Sequence, residues 1–290
     1  GVEKTRTEIA TPHGKVSCVI KQMEIDSPAR KTGIVDEFFF KTPDDYKALE
    51  YMIKDRTYEP AYEQIAREQE MAGGDFIFRF KIHFEPMQEI INYLMGIETF
   101  SLEWADNRDG VLKLFNALVE DKRKIFPIAA GAPVTHVCYG GNIMPHVLGP
   151  ERIEKYVLPG LQECSEIMHK HGKLLCCHLD DNNKTISGLL KDSGLDIIEA
   201  FTPPPTCDMS VKEAREAWPD KILWLNFPSS VHVESAEKIR EATLKILEES
   251  GTGERLIIGI TEDVPMRDWQ KSYTTILKTL NKCGSLPLKT

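Results

Sequence analysis

The rhythm of apolar and polar positions changes near residue 75. Before it, Val16, Cys18 and Ile20 alternate with Ser17 and Lys21, the two-residue period of a half-buried strand. The run follows the turn Thr11-Pro12-His13-Gly14-Lys15, so it predicts half of a hairpin, with Glu37–Lys41 as the partner strand. The residues ahead of the turn show neither a helical nor a core-strand pattern. Thr42-Pro43-Asp44-Asp45 predicts a helix start: a capping hydroxyl, proline at the first helical position, and acids at the positive end of the dipole. That helix covers about Tyr46 to Lys54, and a second covers about Ala61 to Met71, closed by Gly73-Gly74.

Beyond residue 75, short apolar runs alternate with helical periodicity. Strands are predicted at Asp75–Phe80, Val134–Tyr139, Lys173–His178, Leu195–Glu199, Ile222–Asn226 and Leu256–Ile260. Helices are predicted at Pro86–Leu94, Arg108–Ile125, Pro150–His171, Lys184–Lys191, Val211–Ala217, Ala236–Glu249 and Trp269–Leu280. Strict alternation implies parallel strands joined by right-handed crossovers. Six such units are visible and a TIM barrel has eight. The chain also opens on Gly1 rather than Met. The expected fold is therefore α/β, a (β/α)8 TIM barrel lacking its N-terminal strands in this chain. It is read as a single domain over 1–290, with a hairpin and helices over 1–73 and strand–helix repeats over 74–290. An open doubly wound sheet is the rival, but no GxGxxG follows any strand.

Composition narrows the class. Of 290 residues, 41% are hydrophobic and 28% charged, the profile of a globular chain. The formal net charge of -9 argues against nucleic acid, whose backbone is bound through Lys and Arg. No apolar run approaches the ~20 residues of a membrane span, and no signal peptide is visible. Seven cysteines, an odd number with no CxxC pair, fit a reducing compartment, so a cytoplasmic protein is expected.

In a barrel, the loops after the strands build the site. They offer Arg79 and Lys81; Tyr139, Gly140 and Asn142; His178 and Asp180; Glu199 and Thr202; Asn226; and Thr261, Glu262 and Asp263. Alternate strand residues share a face, so Cys176, His178 and Asp180 point one way and Cys177 and Leu179 the other. Carboxylates gathered at one sheet end favour a cation or proton chemistry, because buried charge is costly unless paired. His178, Asp180 and Glu262 can supply three ligands of a tetrahedral zinc with one open position, and Cys207 a fourth. Each has a blander fate as well. His178 can cap its strand, Asp181 and Asp263 can cap the following helices, and Cys176 and Cys177 can pack as small hydrophobes. His136, His169 and His171 read as structural or surface residues, and His232 sits in a loop that can reach a site, although nothing fixes it there. Tyr139, Phe201, Trp224, Phe227 and Trp269 can wall an apolar pocket or fill the core.

The segments GKLLCCHLDDN, GLDIIEAFTPPPTCDMSVKEAREAW, ILWLNFP and LIIGITEDVP, with the earlier GGNIMPHVLGPERIEKYVLPGLQE, resemble the uroporphyrinogen decarboxylase superfamily. Within it they are most similar to the corrinoid-dependent methyltransferase branch, over roughly residues 131–284. The resemblance implies a TIM barrel with further chain at the N-terminus. It also implies an enzyme that moves a methyl group between a small methyl donor or thiol and a corrinoid carried by a partner protein. In thiol-methylating members, a His-x-Cys motif and a cysteine in the last strand's loop hold zinc. Here those positions carry His178, Asp180 and Thr261-Glu262-Asp263, and Cys207 matches neither. A harder, oxygen-rich set suits the demethylating half of the reaction, in which a metal or an acid polarises the donor. The expected catalytic and zinc-binding residues are thus His178, Asp180 and Glu262, with Tyr139, Asn142, Glu199, Asn226 and Arg79 lining a pocket for a small methylated substrate. Two alternatives stand beside this: a uroporphyrinogen decarboxylase, although the N-terminal arginine motif of those enzymes is not in this chain, and a non-catalytic barrel that only binds a tetrapyrrole or a corrinoid protein.

Overall fold

A computed structural model describes residues 3–27, 30–260, 264–285 and 287–288. The chain falls into two compact units, Gly1–Val137 and Cys138–Thr290.

The first unit opens with an antiparallel sheet in which β1 (Lys4–Thr11) pairs with β2 (Gly14–Ser27), and β2 with β3 (Arg30–Glu37). The turn is where the sequence put it. Thr11 Oγ1 donates to the Gly14 carbonyl at 2.9 Å and accepts from the His13 N–H at 3.1 Å. The strands around it differ from expectation. β1 occupies the segment read as irregular, and the second partner of β2 is Arg30–Glu37 rather than Glu37–Lys41. The reason is that β1 is almost wholly polar and exposed, so no apolar period marks it. Its ladder to β2 and the pairs Lys4–Asp36 (2.6 Å) and Lys15–Glu8 (2.8 Å) hold it instead. Phe39 and Phe40 leave the sheet and are buried as anchors, which gave Glu37–Lys41 its strand-like look.

Helices α1 (Tyr46–Lys54) and α2 (Tyr62–Ala72) lie as predicted. The Asp45 carboxylate caps the approach to α1 by accepting from the Lys41 and Thr42 N–H groups, at 2.7 and 3.0 Å. β4 is only Arg79–Lys81, because Gly73–Asp75 winds into a 3-10 turn. Glu85 then caps α3 (Pro86–Glu89), accepting from Met87 N–H at 2.8 Å and Gln88 N–H at 2.6 Å, and the helix continues as a π segment, Ile90–Met95. α4 (Ile97–Asp106) was not predicted; Phe100 is its sole buried residue, too thin an apolar stripe to show a period. α5 (Arg108–Gly131) runs on through Pro127 to β5 (His136–Cys138).

In the second unit α6 (Pro145–Leu148), α7 (Pro150–Arg152), a π segment (Ile153–Val157) and α8 (Leu158–Lys170) lead to β6 (Leu174–His178). Then α9 (Ser187–Lys191), β7 (Ile197–Phe201), α10 (Val211–Ala217), β8 (Ile222–Asn226), α11 (Ala236–Glu249), β9 (Leu256–Gly259) and α12 (Trp269–Cys283) alternate. β6, β7, β8 and β9 are parallel and adjacent in chain order. This is the α/β architecture expected of a partial (β/α)8 barrel.

Register turns these strands into layers. Cys176 lies opposite Ile197, and Ile197 opposite Ile222. With Cys138 they form an apolar cluster against which Ile222 and Trp224 pack. Two residues further along, on the same face, His178 lies opposite Glu199, and Glu199 opposite Trp224. A polar layer therefore sits directly on an apolar one, at the carboxyl ends of the strands.

Candidate active site

The polar layer is built around His178. Its Nδ1 lies 2.5 Å from Glu199 Oε2, and its Nε2 lies 3.1 Å from Asp180 Oδ1. Glu199 is buried, while His178 and Asp180 keep partial access to solvent. Two carboxylates on one imidazole hold a proton there. Burial works against the charge, but the hydrogen bonds to Asp180 and Glu199 and their negative charges outweigh it, and the His178 pKa rises to about 10. At neutral pH His178 is an imidazolium held between the carboxyl groups of Glu199 and Asp180.

Local sequence explains the placement. β6 ends at His178, and the chain then bridges to the loop after β5: Ile143 pairs with Leu179, and Asp180 N–H donates to the Ile143 carbonyl at 3.3 Å. That turn swings Asp180 back beside the imidazole. Glu199 is positioned by an irregularity in β7, where the register against β8 shifts between Glu199 and Phe201 and Ala200 takes φ +63°. The floor of the site is inert. Cys176 and Cys177 are buried, and hydrogen bonding to Cys138, together with burial, holds the Cys176 thiol well above its ordinary pKa.

The residues expected in the site are only partly brought together. His178, Asp180 and Glu199 are brought together, with Glu199 holding the imidazole rather than lining a pocket. Tyr139 and Asn142 lie on the loop after β5; Tyr139 is buried, with its N–H donating to the Cys176 carbonyl at 2.9 Å, and Asn142 takes φ +53°. Asn226 is buried at the end of β8 and donates to Thr202 Oγ1 at 3.4 Å. Arg79 is exposed on β4 in the first unit. Thr261, Glu262 and Asp263 lie outside the described residues. Cys207 is half-exposed in the loop after β7, and that loop is tied to the one carrying Asp180 through Asp208 N–H and Asn182 Oδ1, at 2.9 Å.

Two expectations need correction. Asp181 does not cap the following helix: it takes φ +65° and its carboxylate pairs with His146 Nδ1. His146 was not singled out in the sequence, and its distance of 35 residues from Asp181 left no local signal. His232 is buried in a 3-10 turn, Ser229–Val233, with Nδ1 at 2.6 Å from Ser272 Oγ and its ring beside Phe227 and Tyr273. His169 and His171 are the surface residues expected, one paired to Asp196 and the other to the Ile167 carbonyl.

No family model matches the sequence, and no curated protein matches it. Solved structures do. A methyltransferase from Methanosarcina mazei superposes with a TM-score of 0.61 at 13% identity, covering 90% of this chain and 75% of that one. The likeness is one of fold. A mandelate racemase/muconate lactonizing enzyme from a marine actinobacterium also matches, at a TM-score of 0.33 and 8% identity over 96% of this chain and 79% of that one, too low to carry an argument.

Zinc takes a tetrahedral set of His, Cys and carboxylate ligands. His178 Nε2 and Asp180 Oδ1 converge, and Glu199 on Nδ1 is the outer carboxylate that orients a metal-binding imidazole. Among the described residues no third His, Cys, Asp or Glu completes a set. The described part thus fits two ligands and their support, with Glu262 outside it.

Proposed function

We propose that this protein is a methyltransferase that moves a methyl group between a small methylated donor and a corrinoid carried by a partner protein. The observation that carries the reading is the Glu199–His178–Asp180 trio at the carboxyl ends of the parallel strands. The resemblance of the surrounding segments to corrinoid-dependent methyltransferases supports it, and so does the fold likeness to a methyltransferase.

The chemistry asked of the protein is modest. When a methyl group leaves oxygen, nitrogen or sulfur, the electron pair of the broken bond stays on that atom, and a proton must reach it. His178 holds such a proton between two carboxylates, with partial access from solvent, and serves as the general acid. Glu199 keeps the imidazole oriented through Nδ1, so that the Nε2 side, shared with Asp180, faces the donor. Asn226, two residues beyond Trp224 on the same face of β8, shapes the donor's seat. A zinc ion would be held by His178, Asp180 and Glu262, and it would supply Lewis acidity toward the donor atom. Two carboxyl groups to one imidazole give the trio an acidic character that disfavours a polycarboxylate at this spot, which sets the reading against tetrapyrrole decarboxylation.

The test is a single-turnover assay of methyl transfer to cob(I)alamin from methoxy, methylamine and methylthiol donors, followed by cobalt absorbance, with zinc content measured in parallel. Transfer from at least one donor, cut about 100-fold or more in His178→Gln, is expected for the loss of a general acid. Carbon dioxide release from uroporphyrinogen without methyl transfer, or full turnover by His178→Gln, would sink it.

A further inference from the structure

The first unit holds a cavity of about 600 Å³ that the methyl-transfer reading does not use. Phe80, Ile82, Phe84, Tyr93 and Ile125 form its apolar wall, and Arg56, Lys81, His83 and Lys122 its polar end. Glu89 lines it as well. It accepts from Lys122 Nζ at 2.5 Å and from Arg56 Nη1 at 2.8 Å. Asp121, fully buried, takes a second bond from Arg56 Nη1 at 3.1 Å and is also satisfied by Tyr58 at 2.7 Å.

Both carboxylates engage the same guanidinium nitrogen. Tyr58 lies beside the guanidinium as well, and the edge away from the carboxylates, Nε and Nη2, presents two parallel N–H donors. Lys81 has no carboxylate partner among the described residues. Three cations therefore line the cavity against one lining carboxylate. His83 registers the imbalance: burial first, then the charges of Lys81 and Lys122, push its pKa down, so it stands as a neutral ring. It is also held at φ +40°, a backbone region that non-glycine residues seldom occupy and that clusters at ligand sites.

We propose that this cavity is a second binding site, for a small organic carboxylate with an apolar, ring-sized body. The carboxylate lies on the Nε/Nη2 edge of Arg56 with Lys81 beside it, and the body lies against Phe80, Phe84 and Tyr93. The fork of Arg56 selects a planar two-oxygen anion, and the aromatic wall selects the body.

The test is calorimetric titration of the whole protein with benzoate, benzyl alcohol and benzyl phosphate. Lys81→Glu is the primary variant, because Lys81 is exposed and holds no ion pair among the described residues, and its fold is checked by circular dichroism. Benzoate is expected to bind wild type and to weaken about tenfold or more in Lys81→Glu. Arg56→Lys keeps the charge but loses the fork and is expected to weaken binding as well, whereas His178→Gln leaves it unchanged. The proposal is overturned if benzoate does not bind, if benzyl alcohol binds as tightly, or if Lys81→Glu has no effect. Tighter binding of benzyl phosphate would overturn the carboxylate assignment. Loss of benzoate in His178→Gln alone would assign the binding to the His178 site.

Discussion

Protonated His178 ties folding to pH. Its folded pKa, about 10, stands above the ordinary 6.5, so the stabilisation is fully present below about pH 6.5 and is lost as pH rises toward 10. Urea midpoints for wild type should therefore fall by the equivalent of a few kcal/mol across that window, and those of His178→Gln should stay flat over it. Glu199→Gln removes one of the two anions and should bring the imidazole pKa down by about 1–2 units, read by NMR titration of the ring. The alkaline limb of activity should move down with it. His178 and Asp180 were legible in the chain, because a strand's two-residue period puts them on one face. The role of Glu199 was not, since its meeting with His178 depends on β6 and β7 lying in register 21 residues apart.

Elements were readable where chemistry marks their ends. α10 begins at Ser210, whose Oγ accepts from the Glu213 N–H at 3.2 Å while the Glu213 carboxylate accepts from the Ser210 N–H at 2.8 Å, and its predicted bounds match. Ser210→Ala should cost about 1 kcal/mol in a denaturant titration. β8 and α11 were equally plain, one an apolar run ending in Asn226 and the other a capped amphipathic helix. β1 and α4 escaped because one is almost wholly polar and exposed and the other buries a single side chain. Glycine 259 shows what a strand end can hide. A Cβ there would lie 2.7 Å from Trp224 Nε1 and 3.2 Å from the Leu225 carbonyl. Gly259→Ala should therefore push the indole, the neighbour of Glu199 in the polar layer, and cost about 1–3 kcal/mol by thermal melting.

The parallel α/β architecture was the most legible feature at the scale of the whole molecule, because alternating strands and helices admit few topologies. The meeting of loops such as those of Asn182 and Asp208 was not, as it depends on how neighbouring crossovers end. Net charge is simpler. With -9 overall, the protein should pass a heparin column unretained at physiological salt, and retention would show a basic face that the sum conceals. The irregular step in β7 reaches furthest. Ala200 is buried at φ +63°, a conformation costing roughly 1–2 kcal/mol for a residue with a side chain. Glycine there would accept the backbone readily, so Ala200→Gly is a route to a slightly tougher protein, by at most about 0.5 kcal/mol after its greater unfolded-state freedom and the loss of a buried methyl are counted. It would also let the Glu199 carboxylate wander. Durability and turnover are therefore set against each other at one methyl group, and a selection for heat resistance alone would be expected to sacrifice the second for the first.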